Sequence, residues 1–142
     1  MGCSASQSGS TEPKGRPTVT ITGISGFIGS RTTLMFLQDG GFKVRGTVRD
    51  KSNEAKIAPL REAFGNLFKR LEIVEADLMN EESLMKAVQG STYVVHLASP
   101  FTFAAEEKDL VPPAVNGTTY VMKACQAAGV KRCVITSSVA AI

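Results

Sequence analysis

The stretch Gly23-Ile24-Ser25-Gly26-Phe27-Ile28-Gly29 follows a short run of β-branched residues, Thr18–Thr22, and precedes an apolar helical pattern that includes Leu34. A strand, a glycine turn and a helix start in this order form the layout that binds the pyrophosphate of a dinucleotide. Without a Cβ, the three glycines let the chain turn sharply and let a phosphate approach the backbone closely. The N–H groups and the partial positive charge of the helix start also attract an anion. The stretch therefore predicts a dinucleotide site, and a tight turn without a ligand is the alternative.

Strand-like and helix-like runs alternate from Thr18 onward. Strands are predicted over residues 19–22, 43–48, 71–75, 93–97 and 132–136. Helices are predicted over residues 30–38, 53–63, 81–88 and 110–128. Apolar strands that alternate with helices build a parallel sheet that is covered on both faces. We therefore expect a doubly wound α/β sheet of the Rossmann type, with strand order 3-2-1-4-5.

Length and composition limit the organisation of the chain. The 142 residues, 43% of them hydrophobic, suffice for one core, so we expect a flexible leader over residues 1–17 and one incomplete domain over 18–142. The net charge of +3 is spread without a basic run, and nucleic acid is not an expected partner. The three cysteines and the single histidine, His96, lack the spacing of metal ligands. This usage favours a reducing, cytoplasmic compartment and no metal site.

The leader carries a signal of its own. Its first residues, Met1-Gly2-Cys3-Ser4-Ala5-Ser6, match the pattern for N-myristoylation of Gly2, and Cys3 beside it could accept a palmitoyl chain. One acyl chain binds a membrane only marginally, whereas two anchor a protein stably. We expect anchoring at the cytoplasmic face of a membrane, and the alternative is a disordered leader or an expression scar.

The end of the second strand bears on the choice of dinucleotide. An NAD site usually has an acidic residue about 20 positions after the glycines, where it accepts hydrogen bonds from the ribose 2′-hydroxyl. Here Arg49 ends the strand, and an arginine pairs instead with a 2′-phosphate. Lys56 in the next helix could add a second positive contact. The sequence thus predicts NADP, unless both cations are surface charges and Asp50 is the ribose acid.

Other polar residues follow the strands at the edge where such sheets bind ligands. Asp77 comes after the third strand and could accept a hydrogen bond from the adenine amino group, or it could cap the next helix. His96 lies within the apolar fourth strand, which favours a buried, hydrogen-bonded side chain over a catalytic base. The segment that follows contains small residues, Ala98 and Ser99, which would let the backbone pass close to a nicotinamide and its ribose.

Taken together, these motifs resemble the N-terminal half of an extended short-chain dehydrogenase/reductase of the NAD(P)-dependent epimerase/dehydratase superfamily. The branch of dihydroflavonol and cinnamoyl-CoA reductases is the most similar. The resemblance covers nearly everything after Pro17, and it is carried by residues 22–30 (TGISGFIGS), 45–50 (RGTVRD), 77–78 (DL), 94–100 (VVHLASP), 115–118 (VNGT) and 136–138 (TSS).

The resemblance implies a role for each matching position. The pyrophosphate would be bound by Gly23, Gly26, Phe27, Ile28 and Gly29, and the 2′-phosphate by Arg49 and Lys56. The adenine would be bordered by Asp77 and Leu78, and the nicotinamide by Leu97, Ala98 and Ser99. The catalytic serine would be Ser138, or Ser137 if the register shifts by one. Asn116 would be a structural or relay residue, or simply a polar residue on a helix face.

The implied activity is hydride transfer between the nicotinamide of NADP and a small carbonyl or alcohol substrate. Members of this family also use a tyrosine four residues before a lysine, and neither Tyr93 nor Tyr120 has a lysine at that offset. We therefore expect a fragment that binds the cofactor but hardly reduces a substrate. A sugar-nucleotide epimerase or dehydratase is one alternative, and a catalytically silent, membrane-tethered NADP-binding module is the other.

Overall fold

The computed structural model describes residues 15–100 and 106–139. Gly2 and Cys3, which carry the acylation motif, lie outside these ranges. The described chain forms five parallel strands: β1 (Thr18–Thr22), β2 (Lys43–Val48), β3 (Leu71–Glu75), β4 (Tyr93–His96) and β5 (Arg132–Ile135). Between them lie α1 (Phe27–Asp39), α2 (Glu54–Phe64), α3 (Glu81–Val88) and α4 (Glu107–Ala127), and a 3-10 helix, Gly65–Arg70, follows α2. Within the described ranges, no helix combines the length and the apolar character needed to span a bilayer.

The strand order β3-β2-β1-β4-β5 confirms the predicted doubly wound topology. The bounds of β2, β3 and α3 are those expected from the sequence, whereas α1 and α4 each begin three residues earlier. The early start of α1 places Gly29 inside the helix rather than in the turn before it. The glycine turn therefore comprises only the residues from Gly23 to Gly26.

Two apolar clusters cover the two faces of the sheet, as a parallel sheet requires. One joins β1 and β2 to α1 and α2 through Val19, Ile21, Ile24, Leu37, Val44, Val48, Ile57, Leu60 and Phe64. The other joins β4 to α3 and α4 through Ala76, Leu84, Ala87, Val88, Val94, Val121, Ala124 and Cys125. Each large side chain buried in this way contributes about 1.5–3 kcal/mol. The clusters fix the helices against the sheet and so position the loops at the strand ends.

Arg45 on β2 connects three elements through one guanidinium group. Its Nε donates to Glu72 Oε2 on β3 at 3.0 Å. Its Nη1 donates to the carbonyls of Ala87 and Gln89, at 2.9 and 2.8 Å, at the end of α3. The last carbonyls of a helix have no partner within it and carry partial negative charge, so a cation is favourable there. Arg45 thereby fixes the end of α3 to the edge of the sheet.

Candidate functional site

A cleft of about 700 Å³ lies at the carboxyl ends of β1 to β4, beside the point where the strand order reverses. Open α/β sheets bind their ligands at such a switch point. Eight of the predicted residues line the cleft: Gly23, Gly26, Arg49, Asp77, Leu78, Leu97, Ala98 and Ser99. A more open groove of about 970 Å³ runs between α4 and β5 and contains none of the predicted residues. The first cleft is therefore the candidate site.

The backbone around the glycine turn at the base of the cleft excludes a side chain at Gly23 and at Gly29. Gly23 has a φ of 72°, in the left-handed region that favours glycine. The N–H of Gly26 donates to the carbonyl of Gly23 at 3.1 Å and closes the turn. A Cβ on Gly29 would lie 2.1 Å from that same carbonyl oxygen. Gly29 thus allows α1 to pack directly against the turn, which is the role of the last glycine in such motifs.

The start of α1 directly follows Gly26, the last residue of the turn that lines the cleft. No side chain caps this end, and the helical hydrogen bonds begin with Ser30 N–H donating to the Gly26 carbonyl at 2.9 Å. The N–H groups of Phe27, Ile28 and Gly29 precede that bond and are the donors that an α-helix leaves without internal partners. The Phe27 side chain is 94% exposed and the Ile28 side chain 54%, and neither lines the cleft. A contribution from these two residues would therefore come from their backbone.

Two buried threonines for which no role was predicted support the cleft, Thr47 at the glycine turn and Thr22 at the segment after β4. Thr47 on β2 accepts the N–H of Gly23 with its hydroxyl and the N–H of Ile24 with its carbonyl, both at 3.2 Å. Thr22 at the end of β1 accepts the N–H groups of Leu97 and Ala98 with its hydroxyl, both at 3.0 Å. The position of Thr22, immediately before the first glycine of the motif, was the sequence feature that could have indicated its role.

His96 is buried at the end of β4, with its Nδ1 2.8 Å from the Thr22 hydroxyl. Burial lowers the pKa of His96 because the charged imidazolium loses hydration there. The prediction of a hydrogen-bonded core histidine is confirmed. Its position beneath residues 97–99 makes it part of the support of the cleft wall.

The cations predicted to bind a 2′-phosphate lie in different surroundings. Arg49 follows β2, lines the cleft, and forms no ion pair with a carboxylate in the described ranges. Lys56 is exposed in the first turn of α2 and does not line the cleft. Asp50 does not line the cleft either, and its Oδ1 accepts hydrogen bonds from the hydroxyl and the N–H of Ser52 at 2.6 and 2.8 Å. These bonds lower the pKa of Asp50.

Asp77 and Leu78 form the side of the cleft next to β3. Asp77 Oδ1 accepts the N–H of Met79 at 2.7 Å. The alternative that Asp77 caps α3 is wrong, because Asn80 is the cap and its Oδ1 accepts the N–H of Ser83. Leu78 rests on Gly117 of α4, where a Cβ would lie 3.0 Å from the Leu78 Cβ. The VNGT motif contains this glycine, but its contact with Leu78 could not be predicted from the sequence.

The predicted catalytic serine lies outside the cleft lining. Ser138 and its alternative Ser137 are exposed after β5, and the segment is tied to β4 by Thr136 N–H donating to the His96 carbonyl at 3.1 Å. Asn116 is partly buried on α4 and does not line the cleft either. The start of α4 instead contributes Asp109, Leu110 and Pro113 to the lining. These three residues were not predicted, because no part of α4 was expected at the cleft.

The sheet, the glycine turn and the cleft at the switch point define a Rossmann-type α/β domain. The chain belongs to the NAD dependent epimerase/dehydratase family, whose family model matches residues 19–142. It is 44% identical over 124 residues to dihydroflavonol 4-reductase of Zea mays, which covers 85% of this chain and 34% of that protein. It is 41% identical over 135 residues to anthocyanidin reductase of Vitis vinifera, which covers 92% of this chain and 38% of that protein.

Solved structures show the same similarity. The complex of Gre2 from Candida albicans with NADPH matches with a TM-score of 0.73 at 38% identity, over 89% of this chain and 38% of that one. The yeast methylglyoxal/isovaleraldehyde reductase Gre2 complexed with NADPH matches with a TM-score of 0.73 at 31% identity, over 88% and 38%. The chain therefore spans between a third and two fifths of the length of these relatives.

Proposed function

We propose that this chain is the NADP-binding part of a carbonyl reductase. The observation that carries the proposal is the position of Arg49, which lines the cleft at the end of β2 beside the glycine turn. A guanidinium without an internal carboxylate partner can form charge-assisted hydrogen bonds with a 2′-phosphate. Two of the similar solved structures are complexes with NADPH, which is consistent with this choice of nucleotide.

Different residues of this chain would bind different parts of the nucleotide. The N–H groups at the start of α1 would bind the pyrophosphate, which the glycine turn lets approach the backbone. The Oδ1 atom of Asp77 accepts the N–H of Met79, and the other carboxylate oxygen, Oδ2, could accept a hydrogen bond from the adenine amino group. Leu97, Ala98 and Ser99 would border the nicotinamide, and Lys56, which is exposed in the first turn of α2, would add a second positive contact to the 2′-phosphate.

NADPH, when bound, supplies a hydride to the carbonyl carbon of a small ketone or aldehyde. Ser138 would donate a hydrogen bond to the carbonyl oxygen, which gains negative charge as the hydride arrives. The relatives named as reductases support this reaction class, and the position of Arg49 disfavours a sugar-nucleotide epimerase that uses NAD. A silent NADP-binding module would show the same nucleotide preference without reduction.

Titration of the chain with NADPH and NADH tests the proposal. Arg49→Ala should reduce the preference for NADPH by about 10- to 100-fold, because one charge-assisted bond contributes roughly 1.5–3 kcal/mol. Lys51→Ala, which removes a neighbouring exposed cation outside the lining, should leave the ratio unchanged. An unchanged ratio in Arg49→Ala would contradict the assignment. A weaker NADH affinity in Asp50→Asn would identify Asp50 as the ribose acid instead.

We further propose that Gly2 is myristoylated and that Cys3 accepts a second acyl chain, which would place the protein at a cytoplasmic membrane face. The sequence Met1-Gly2-Cys3-Ser4-Ala5-Ser6 supports this. Coexpression with a myristoyltransferase should add the mass of one myristoyl group to the wild type and none to Gly2→Ala. Equal membrane partitioning of the two proteins would contradict the anchor.

A further inference from the structure

The fold collects cations that are scattered along the sequence. Lys43 at the start of β2 pairs with Thr18 of β1, and Arg70 directly precedes Leu71, the partner of Val44. On the other side, Thr92 N–H donates to the Thr18 carbonyl at 2.8 Å, and Lys131 N–H donates to the Thr92 carbonyl at 2.9 Å. Arg70, Lys43 and Lys131 therefore lie in one row across the amino-terminal edge of the sheet, about 19 Å long at the usual strand spacing.

Three more cations flank this row. Arg16 precedes β1, Lys69 precedes Arg70, and Arg132 begins β5. We name the whole surface the basic edge: Arg16, Lys43, Lys69, Arg70, Lys131 and Arg132. All of these side chains are exposed, and none forms an ion pair with a carboxylate of the described chain.

Within the part of the chain that the structure describes, few acidic residues lie near the basic edge. Asp39 ends α1 and accepts the N–H of Gly41 at 3.1 Å, and Glu62 lies in the last turn of α2. Glu72 near the start of β3 is already paired with Arg45. The basic edge therefore has a net positive charge. The charge of the whole chain is only +3, because acidic residues follow the strands at the opposite edge of the sheet.

The basic edge and the cleft lie at opposite ends of the same strands. The cations precede the strands, whereas Gly23, Arg49 and Leu97 follow them. Strands of 4–6 residues separate the two ends by about 13–20 Å at a rise of about 3.3 Å per residue. A large partner at the basic edge would therefore leave the mouth of the cleft open.

The chain also enters the sheet at the basic edge. The carbonyl of Pro17 accepts the N–H of Lys43 at 3.0 Å, so the leader with its acylation motif is attached beside the row of cations. A single acyl chain needs a second signal for stable anchoring, and a cluster of basic residues is one such signal. The attachment point favours a lipid surface over a nucleic acid as the partner.

We propose that the basic edge is a docking surface for a membrane rich in anionic lipid. Each lysine or arginine near such a surface contributes about 1 kcal/mol, a factor of about five in the partition coefficient. Docking in this way turns the cleft away from the bilayer and toward the solvent, where nucleotide and substrate can enter. The proposal concerns a surface outside the nucleotide site, so its failure would not affect the assignment of the cleft.

Vesicle sedimentation of the full chain without acylation tests the charge contribution alone. Wild type should bind vesicles of phosphatidylcholine with phosphatidylserine, and should not bind vesicles of phosphatidylcholine. The variant Lys43→Gln/Lys69→Gln/Lys131→Gln should bind at least tenfold more weakly. The matched control Lys51→Gln/Lys86→Gln/Lys108→Gln loses the same charge elsewhere on the surface and should bind nearly as well as wild type. Circular dichroism of both variants checks that they fold.

Salt dependence, binding of DNA and binding of the myristoylated chain test the proposal further. Wild-type binding should be lost near 1 M salt, where the Debye length falls to about 3 Å. Equal weakening of the two triple variants would overturn the proposal, because it would show an effect of net charge alone. Tighter binding of a short DNA duplex than of the anionic vesicles at the same salt would also overturn it, and would assign the basic edge to nucleic acid. The myristoylated chain should show the same ranking of variants at higher affinity.

Discussion

The hydroxyl of Thr22 and the imidazole of His96 lie 2.8 Å apart, and their hydrogen-bond roles are fully determined. The hydroxyl already accepts two N–H groups, from Leu97 and Ala98, which use both of its lone pairs. Its one proton must therefore point to His96 Nδ1, which has to be the unprotonated nitrogen. His96 is thus neutral, with its proton on Nε2, and the pair fixes the turn that begins one wall of the cleft.

Replacement of Thr22 by valine should destabilise the fold by about 2–4 kcal/mol. The change keeps the shape of the side chain but leaves two backbone N–H groups and Nδ1 of His96 without their partner, and a buried unsatisfied group costs about 1–3 kcal/mol. Chemical denaturation measures the effect. Thr22→Ser retains the hydroxyl and serves as the control, so a similar loss in both variants would contradict the hydrogen-bond account.

Acidification should weaken the fold through His96. Burial lowers the folded-state pKa of His96 below its ordinary value of 6.5, so the unfolded chain takes up the proton first. This contribution is fully present above pH 6.5 and is lost as the pH falls from 6.5 through the lowered pKa.

The free energy of unfolding should therefore fall more steeply between pH 7 and pH 5 in the wild type than in His96→Gln. His96 is the only histidine of the chain, so its imidazole proton signals report the same titration directly by NMR. Parallel pH profiles for the two proteins would contradict the prediction.

Gly29→Ala should be far more damaging than Gly26→Ala. The new Cβ at Gly29 would lie 2.1 Å from the Gly23 carbonyl oxygen, a backbone atom that can move only if the turn or α1 moves. At Gly26 the same contact would be 3.4 Å, which is tolerable. We expect a loss of roughly 3 kcal/mol or more for Gly29→Ala, as for other overpacked sites, and about 1 kcal/mol for Gly26→Ala. Thermal unfolding of the two variants measures the difference, and equal losses of stability would contradict the prediction.

Arg45→Met should cost about 2–3 kcal/mol, because it removes a guanidinium that binds a carboxylate and two helix-end carbonyls. Arg61→Met is the matched control. Arg61 also pairs with a glutamate, Glu54, but both side chains are more than half exposed, and such pairs contribute less than about 1 kcal/mol. Equal unfolding free energies for the two variants would show that Arg45 has no special role at the end of α3.

The order of the strands and the fold class followed from the sequence, since both depend on local apolar patterns and on the handedness of crossovers. β3 and α3 were predicted with their bounds because charged or turn residues flank them closely. The first turn of α1 was missed because Gly29 disfavours a helix locally, and only its packing against Gly23 makes it helical.

The parts of the site that escaped prediction depend on contacts between distant residues. Thr22 and Thr47 look like ordinary strand residues, and their hydroxyls gain a role only when β2 and β4 align beside β1. The cations of the basic edge are likewise separated by long stretches of sequence and meet only through strand register. Asp109 joins the cleft because α4 begins at Glu107, one turn earlier than its apolar pattern indicates.

The contact between Leu78 and Gly117 has a consequence for related sequences. Leu78 fills the space that a side chain at position 117 would need, so neither residue can change in size alone without opening a gap or forcing a clash. Among proteins with this fold, the two positions should covary: a larger residue at 117 should accompany a smaller one at 78, with a matching change in the shape of this side of the cleft.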